Sequence, residues 1–449
     1  MEEVYMGEDY SDVPWETGET KSHFSQASSS TSPVRSSISP TLTTFALNAT
    51  DALKITVTDP QKHGEGSGAF VTYAVNTRTI LDTYPRPEMS TRRRFQDFVW
   101  LHRSLGEEYP ACIVPPLPGK HRMEYITGDR FSPEFIEKRR LSLQTYLDRV
   151  SRHPTLQRSA VLKKFLDTGD LQIVEAASRN RDSHVLENIS DVFLNAFAKV
   201  RKPDQQFLEF KENVEKFEEN LTTVEKLHTK LLKQHADLER DTAEFEGCIT
   251  TLGVMETQVT GPLTEFGNTV REICTLLKDK SQREEVDFVG SLREYIAYCH
   301  SVKEVLKLRD QKQVDHEELQ TYLENSVSDR ERTMSGRGSG GITSFIKEKY
   351  NDFRNINHEQ ARQAKLARLE AKIAELTEAV EQSHDISTAF SNEVAKELEL
   401  FQSVKVADFK DILRDYTESQ MEYFQKGLRV WEDIIPVLQN IEIEEPAAE

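Results

Sequence analysis

The sequence lacks several features that would place the protein in common functional classes. No stretch of the 449 residues approaches about 18 uninterrupted apolar residues, so no transmembrane helix is expected. The acidic N-terminus has no apolar core of the kind that a secretory signal needs. The four cysteines lie far apart and match no zinc or disulfide spacing, which indicates free thiols in a reducing compartment.

Motifs for catalysis are also missing. The chain has no GxSxG, Walker A or HExxH pattern, and its 12 histidines do not cluster with the cysteines. The tract GRGSGG at 336–341 matches GxGxxG, but no apolar strand precedes it and no strand–helix–strand unit follows it. We therefore expect no enzyme activity, no cofactor and no metal site.

Negative charge dominates the composition, but it is unevenly distributed. The whole chain carries a net charge of −19, with +4 on residues 45–170 and −18 on residues 171–449. The positive segment is therefore the natural candidate for contact with phosphate groups. The acidic remainder and the absence of a basic stripe disfavour nucleic acid as a partner.

The first half of the chain predicts a tail and a small mixed domain. Residues 1–48 are rich in Ser and Thr and are predicted to be disordered. The segments LKITVTDP and GAFVTYAVNTRT alternate apolar and polar residues around a Gly-rich turn, which predicts a hairpin. A third strand is expected up to TRRRFQDF, where the period becomes helical, and Ser132 and Pro133 predict another helix start. Residues 50–170 are thus predicted to form three strands and several helices.

Almost only helix is predicted from residue 185 to residue 441, after a linker or amphipathic helix at 171–184. Between Phe207 and Phe245, seam residues recur at spacings that alternate between 3 and 4, which is a heptad pattern. The predicted helices cover about 185–252, 260–332 and 345–441, with a flexible tip at 333–344 and an acidic tail at 442–449. Helices this long, with an apolar stripe, indicate an antiparallel bundle that also buries a face against another subunit.

Three polar residues, His228, His235 and Thr242, interrupt the heptad seam. Buried polar seam positions often select the register and the partner of a coiled coil. The alternative, which the sequence leaves open, is partial exposure at the edge of a bundle.

The segment TRRRFQDFVWLHRSL carries the residues best suited to bind a phosphate. Arginines before an aromatic residue at a strand-to-helix junction can present guanidinium groups to a phosphate while the ring stacks on a sugar. PPLPGKH places Lys120 at the end of a stiff proline loop, and FIEKRRLSL places Arg139 on a helix behind the strands. The alternative interpretation of the arginine run is a solvated basic edge strand.

These three motifs, in this order, resemble a phox-homology (PX) domain over about residues 50–170. The resemblance implies that Arg94 binds the 3-phosphate of phosphatidylinositol 3-phosphate and that Phe95 stacks on the inositol ring. It further implies that Lys120 contacts the 1-phosphate and that Arg139 binds the ring hydroxyls. Gln96 stands where relatives often carry Ser or Thr, and it is included among the predicted phosphoinositide-binding residues.

The loop after Lys120 reads HRMEYITGDRF and contains Met123, Tyr125 and Ile126. Apolar and aromatic residues beside a bound lipid are suited to insertion at the acyl boundary of the bilayer. The alternative is that these three side chains pack against their own domain.

The long helices resemble a BAR domain of the sorting-nexin kind. The segments KQHADLERDTAEFEGCITTLG and YFQKGLRVWEDIIP resemble the sorting nexin-4 type in particular. The implied fold class is an α+β PX domain followed by an all-α BAR domain, whose three long helices form an antiparallel coiled-coil dimer. Basic residues of these helices that are candidates for contact with anionic lipid are Lys303, Lys307, Arg362, Lys365, Arg368 and Lys372.

The resemblance implies a cytoplasmic protein that binds phosphatidylinositol 3-phosphate and lies peripherally on endosomal and preautophagosomal membranes. It also implies endosome-to-Golgi retrieval of cargo such as SNAREs, selective autophagy and cytoplasm-to-vacuole transport. The expected protein partner is a second copy of the chain or a related PX-BAR sorting nexin. The residues alone leave open a coiled-coil scaffold whose basic domain binds a protein instead of lipid.

Overall fold

A computed structural model describes most of the predicted elements of the chain. The described residues are 52–65, 69–118, 131–169, 200–201, 203–335 and 358–441. They form a small α+β domain up to residue 169, followed by a long helical region.

The sheet of the α+β domain contains three antiparallel strands in the order β1-β2-β3. These are β1 (Leu53–His63), β2 (Phe70–Thr79) and β3 (Glu88–Arg94). In β1, the alternate residues Leu53, Ile55 and Val57 are buried, as the two-residue period of a strand requires. A β-bulge interrupts the pairing of β1 with β2, and Asp59 in this bulge has a φ of 47°.

Three helices complete the α+β domain: α1 (Phe95–Glu108), α2 (Pro133–Arg152) and α3 (Ala160–Asp167), with a 3₁₀ turn at Leu156–Arg158. Helix α2 begins where the sequence predicts, because the Ser132 hydroxyl accepts a hydrogen bond from the Phe135 N–H and Pro133 follows. The apolar faces of the helices cover the sheet. The largest fully buried apolar side chains include Tyr73, Phe98, Tyr146 and Phe165.

The helical region consists of α4 (Gln205–Met255), α5 (Thr260–Arg283), a π-helical segment (Glu284–Val289), α6 (Gly290–Met334) and α7 (His358–Gln439). Residues 200–201 and 203–204 are not helical, so the first long helix does not run without interruption from residue 185. The reason is local: Pro203 precedes Asp204, whose carboxylate accepts a hydrogen bond from the Gln206 N–H and caps α4. The predicted helix starts at 185 and 345 lie outside the described residues.

The π-helical segment divides the second predicted helix into α5 and α6. Such segments are rare and are frequently found at functional sites. Here Glu284 is 2% exposed, with Lys280 Nζ at 3.1 Å and His228 Nε2 at 3.5 Å. Of the three predicted polar seam residues, His228 is therefore buried, whereas His235 and Thr242 are half-buried.

The heptad seam of α4 is buried at only one of its two alternating positions. Phe207, Val214 and Leu221 pack against apolar residues of α6 and α7. At the other position, Phe210 and Phe217 are half-buried against the same cluster, but the later residues are exposed in the single chain, as are several apolar residues near the C-terminal end of α7. We call this surface the exposed apolar stripe; it consists of Val224, Leu231, Leu238, Phe245 and Leu252 on α4 and Phe424, Leu428, Trp431 and Ile435 on α7.

The predicted fold class is confirmed. A three-stranded sheet with helices precedes a region of long helices, in the order that the sequence indicates. Among the helices within the described ranges, none combines the length and the apolar composition that crossing a bilayer requires.

Candidate functional site

The three consecutive arginines at the end of β3 lie in different environments. Arg92 forms an ion pair with Asp59, with 2.7 Å between Nη1 and Oδ2. Arg93 is 1% exposed, and its guanidinium donates hydrogen bonds to the carbonyl oxygens of Phe165 and Thr168. These two arginines therefore hold the bulge of β1 and the C-terminal end of α3 in place.

Arg94 occupies the N-cap position of α1 and is the arginine best placed to meet a ligand. Its backbone is extended, and its N–H donates a hydrogen bond of 2.9 Å to Asp97 Oδ2. Its Nε lies 3.6 Å from Asp97 Oδ1, and its side chain is 32% exposed. Burial raises the pKa of Asp97, and the adjacent Arg94 opposes that rise. The positive end of the α1 dipole lies at the same point, so this corner favours an anion.

Phe95 and Arg139 are in direct contact beside Arg94. The guanidinium carbon of Arg139 lies 4.6 Å from the ring centre of Phe95 and 4.4 Å from that of Phe135. These distances are typical of cation–π contacts, which hold a guanidinium flat against a ring. The structure therefore brings three predicted site residues to one corner of the domain, and Gln96 is exposed next to them.

Four predicted site residues lie outside the described residues. They are Lys120 of the proline loop and the three residues predicted to insert into the bilayer, Met123, Tyr125 and Ile126. Their roles stay predictions. The described end of the proline loop reaches Pro118, which lines a shallow pocket together with Phe135 and Arg139.

The six basic candidates on the long helices differ in their surroundings. Lys303 donates a hydrogen bond of 2.6 Å to Glu218 on α4, so its charge is already balanced within the protein. This makes it the weakest of the six as a lipid contact. The remaining five are exposed, with one on α6 and four near the start of α7: Lys307, Arg362, Lys365, Arg368 and Lys372.

A contact that the sequence did not predict joins the α+β domain to the helical region at Arg149 of α2. Arg149 Nη1 lies 3.0 Å from Glu294 of α6, and Nη2 lies 3.3 Å from Asp408 of α7. Its guanidinium carbon is 5.0 Å and 5.2 Å from the ring centres of Tyr295 and Tyr298. The Tyr295 hydroxyl donates a hydrogen bond of 2.6 Å to Asp408. We call these residues the Arg149 contact.

A second contact between the two regions surrounds Glu397 of α7, which is 8% exposed. Its Oε2 accepts a hydrogen bond of 3.1 Å from the Ile113 N–H and lies 2.9 Å from His153 Nε2. Burial, followed by the nearby carboxylate, raises the pKa of the Cys112 thiol. We call this group the Glu397 contact. Removing one of the donors to this buried carboxylate would leave an acceptor unsatisfied, which typically costs about 1–3 kcal/mol or more.

The Glu397 contact has the composition of a metal site, since Cys112, His153 and Glu397 place their ligand atoms within 4.8 Å of one another. The histidine ring decides against that reading. Its Nδ1 accepts N–H bonds of 3.2 Å from Thr155 and Leu156, so the ring proton resides on Nε2 and points to Glu397. A metal-bound histidine normally donates its other ring N–H to an acceptor, which is not possible here. The group fits a hydrogen-bonded domain contact.

No local signal in the sequence could have revealed these contacts. Arg149 is separated from Asp408 by 259 positions and His153 from Glu397 by 244. Such partners are visible only after the helices have packed.

Comparisons with known proteins agree with the two-part organisation. The PX domain family matches residues 82–168, and the family described as Vps5 C terminal like matches residues 182–351 and 330–437. Sorting nexin-4 of Cryptococcus neoformans var. neoformans serotype D is 39% identical over 404 residues, covering 87% of this chain and 82% of its own length. Sorting nexin-4 of Gibberella zeae is 35% identical over 400 residues, covering 87% of each chain.

A solved structure has a similar fold. The cryo-EM structure of the SNX-BAR Mvp1 tetramer has a TM-score of 0.51 and 18% sequence identity, covering 85% of this chain and 99% of that chain. At this identity the likeness supports the arrangement of sheet and long helices.

Proposed function

The chain belongs to the sorting nexins that join a PX domain to a BAR domain, and from this premise we propose that its PX domain binds phosphatidylinositol 3-phosphate. Members of this family are membrane-associated, non-enzymatic scaffolds, and the family points to peripheral association with endosomal membranes. The observation that carries the proposal is the corner formed by Arg94, Phe95 and Arg139. It offers a guanidinium at a helix N-terminus beside a ring and a second guanidinium.

The assignment of the phosphate contact to Arg94 rests on its neighbours. Arg92 pairs with Asp59, and Arg93 is enclosed by backbone carbonyl groups. Arg94 forms a longer ion pair, in which its Nε lies 3.6 Å from the Asp97 carboxylate. Burial raises the pKa of Asp97. Arg94 also lies at the N-terminus of α1 beside the Phe95–Arg139 pair, where an anion is favoured. Lys120 and Gln96 complete the proposed site.

The BAR domain is proposed to provide the second membrane contact as a homodimer or as a heterodimer with a related PX-BAR sorting nexin. The exposed apolar stripe supports this, because an isolated chain would leave these residues in water. The basic residues at the start of α7 are proposed to meet anionic lipid. The likeness to Sorting nexin-4 proteins supports proposed roles in endosome-to-Golgi retrieval of cargo such as SNAREs, and in selective autophagy and cytoplasm-to-vacuole transport at preautophagosomal membranes.

Arg94→Ala tests the proposed site. We expect binding to vesicles containing phosphatidylinositol 3-phosphate to weaken by about tenfold or more, because each charged hydrogen bond contributes about 1.5–3 kcal/mol. The measurement is co-sedimentation of the full chain with vesicles of one size, with and without this lipid. Arg78→Ala is the matched control. Arg78 lies on β2 in an exposed ion pair with Glu88, at the opposite end of the β2–β3 pair from Arg94.

If the unaltered chain binds equally to vesicles with and without phosphatidylinositol 3-phosphate, the alternative is favoured, namely a scaffold whose basic domain binds a protein. Equal loss in Arg94→Ala and Arg78→Ala would show a general charge effect and would contradict the assigned site.

A further inference from the structure

The PX and BAR domains meet through polar contacts that are separated by a cavity. The cavity has a volume of about 650 Å³ and lies between α2 and the π-helical segment. On one side of it, Lys138 Nζ lies 3.9 Å from Glu285 Oε1. Glu294 of the Arg149 contact also lines the cavity, whereas the Glu397 contact lies away from its lining. The interface therefore combines an apolar contact at Ile113 with a few charged side chains that require particular partners.

The Arg149 contact is satisfied in one relative orientation of the domains. The guanidinium must reach a carboxylate on α6 and another on α7 while two tyrosine rings flank it. Arginine is suited to this role because its planar group pairs with carboxylates and stacks on aromatic rings. Its side chain is only 9% exposed, so a rotated PX domain would leave buried charges without partners.

The Glu397 contact fixes the same orientation at a second point. Its carboxylate receives a backbone N–H from Ile113 and the Nε2 proton of His153, and both donors belong to the PX domain. Ile113 also packs its side chain among apolar residues of the helical region, where it is 2% exposed. Two separate points on α7, at Glu397 and Asp408, thus define how the PX domain sits on the BAR helices.

Helix α2 connects these contacts to the proposed lipid site. Arg139 of the site and Arg149 of the contact lie on α2, ten residues and about 15 Å apart at 1.5 Å per residue. Any tilt of α2 against the BAR helices therefore moves the headgroup site relative to the membrane-facing surface of those helices.

We propose that Arg149 and Glu397 are positioning residues for membrane binding, which hold the headgroup site at a fixed angle to the BAR helices so that both bind one curved membrane at once. The effect on membrane binding rests on the proposed function, namely that the PX domain binds phosphatidylinositol 3-phosphate. When two linked surfaces bind one target at the same time, the overall affinity can exceed that of either surface alone by about 10²–10⁴-fold. This gain is lost when the geometry prevents simultaneous contact.

The test compares Arg149→Met and Glu397→Met with matched controls from the same helices. Arg152→Met and Glu399→Met are the controls, because both residues are exposed and lie within three positions of their counterparts. The first measurement is titration of the full chain with soluble, short-chain phosphatidylinositol 3-phosphate. The second is co-sedimentation with small vesicles that contain the same lipid.

We expect the two contact variants to keep the wild-type affinity for the soluble lipid within about twofold, because neither residue belongs to the proposed headgroup site. Their binding to small vesicles should fall by about tenfold or more, since the avidity gain is lost. The controls should match the wild type in both measurements. A positioning role is contradicted if the contact variants bind vesicles normally, or if they lose soluble-lipid binding and vesicle binding equally.

A third measurement without lipid separates this inference from the proposed function. Small-angle X-ray scattering should show a larger radius of gyration for the contact variants than for the controls, because the PX domain is no longer held. An unchanged radius overturns the inference even if the lipid proposal stands. Since Arg149→Met strands two carboxylates, Tyr295→Phe provides a milder variant, which removes only the hydrogen bond to Asp408 and should give a smaller change of the same sign.

Discussion

The PX domain and the BAR domain bury their apolar residues in different ways. Tyr73, Phe98 and Phe165 of the PX domain are completely enclosed within about 120 residues of chain. In the BAR domain, Phe207, Val214 and Leu221 are buried, but the exposed apolar stripe follows them at the same seven-residue spacing. The described apolar residues of the PX domain thus largely enclose one another, whereas the BAR helices leave an apolar surface exposed, as the dimer proposed above requires.

The connection between the domains differs from both interiors. It combines apolar contacts, such as that of Ile113, with buried charged residues beside a cavity, while the two cores are apolar. Apolar cores are close-packed but make no directional bonds, whereas buried ion pairs require particular charged partners. The comparison therefore suggests three functions for three kinds of packing: a closed core for a stable lipid site, an open stripe for dimerisation and a polar interface for orientation.

The largest expected effect is on dimerisation. Leu238→Asp combined with Phe245→Asp would bury uncompensated carboxylates in the expected dimer, at about 3–5 kcal/mol for each buried charge. We expect the full chain to become monomeric by light scattering at concentrations where the wild type is dimeric. Ile80→Asp, at the most exposed large apolar residue in the described part of the PX domain, is the control and should leave the oligomeric state unchanged. A wild-type chain that is itself monomeric would contradict the comparison.

An intermediate effect is expected on the stability of the PX domain. Arg93→Met leaves the carbonyl oxygens of Phe165 and Thr168 without their charged donor, and should lower the free energy of unfolding by about 3 kcal/mol or more. Arg92→Met removes a partly exposed ion pair with Asp59 and hydrogen bonds to Asp59 and Thr72, and should change it by about 1–2 kcal/mol, less than Arg93→Met. Thermal unfolding monitored by near-ultraviolet circular dichroism compares them. Similar losses in the two variants would show that Arg93 is not a structural residue.

The smallest expected effect is a pH dependence at the domain interface. Burial raises the pKa of Glu294 above its ordinary 4.5, and Arg149 opposes the rise. A carboxyl group whose pKa is raised by folding contributes stability that is fully present below pH 4.5 and is lost as the pH rises through the raised value. Mild acidification should therefore stabilise the interface of the wild type slightly. Glu294→Gln should abolish this gain. Hydrogen exchange at the Ile113 amide, followed at several pH values, measures it; identical profiles would contradict the assignment.

Much of the fold could be predicted from local sequence patterns. The two-residue alternation in β1 and the Ser132–Pro133 helix start correspond to elements that form within a few residues. The position of the proposed lipid site at the β3–α1 junction was predicted for the same reason. The roles of the three individual arginines are harder to predict from sequence. Their different environments arise from the pleat of β3 and from α3, which lies about 70 positions further along the chain and packs over Arg93.

The remaining features depend on contacts that have no local signature. A π-helical segment has no characteristic sequence, so the interruption between α5 and α6 was not foreseen. Arg149 looks like any other basic residue near the end of a helix, where basic residues are favourable for the helix dipole. Its partners at Glu294 and Asp408 become apparent only when three helices from two domains are assembled.

Titration of the unaltered full chain with soluble phosphatidylinositol 3-phosphate, against phosphatidylinositol carrying no ring phosphate, tests the central claim most directly. The account predicts saturable binding of the first lipid, with nuclear magnetic resonance shifts concentrated around Arg94, Phe95 and Arg139. Equal responses to the two lipids, or shifts located elsewhere on the PX domain, would contradict it.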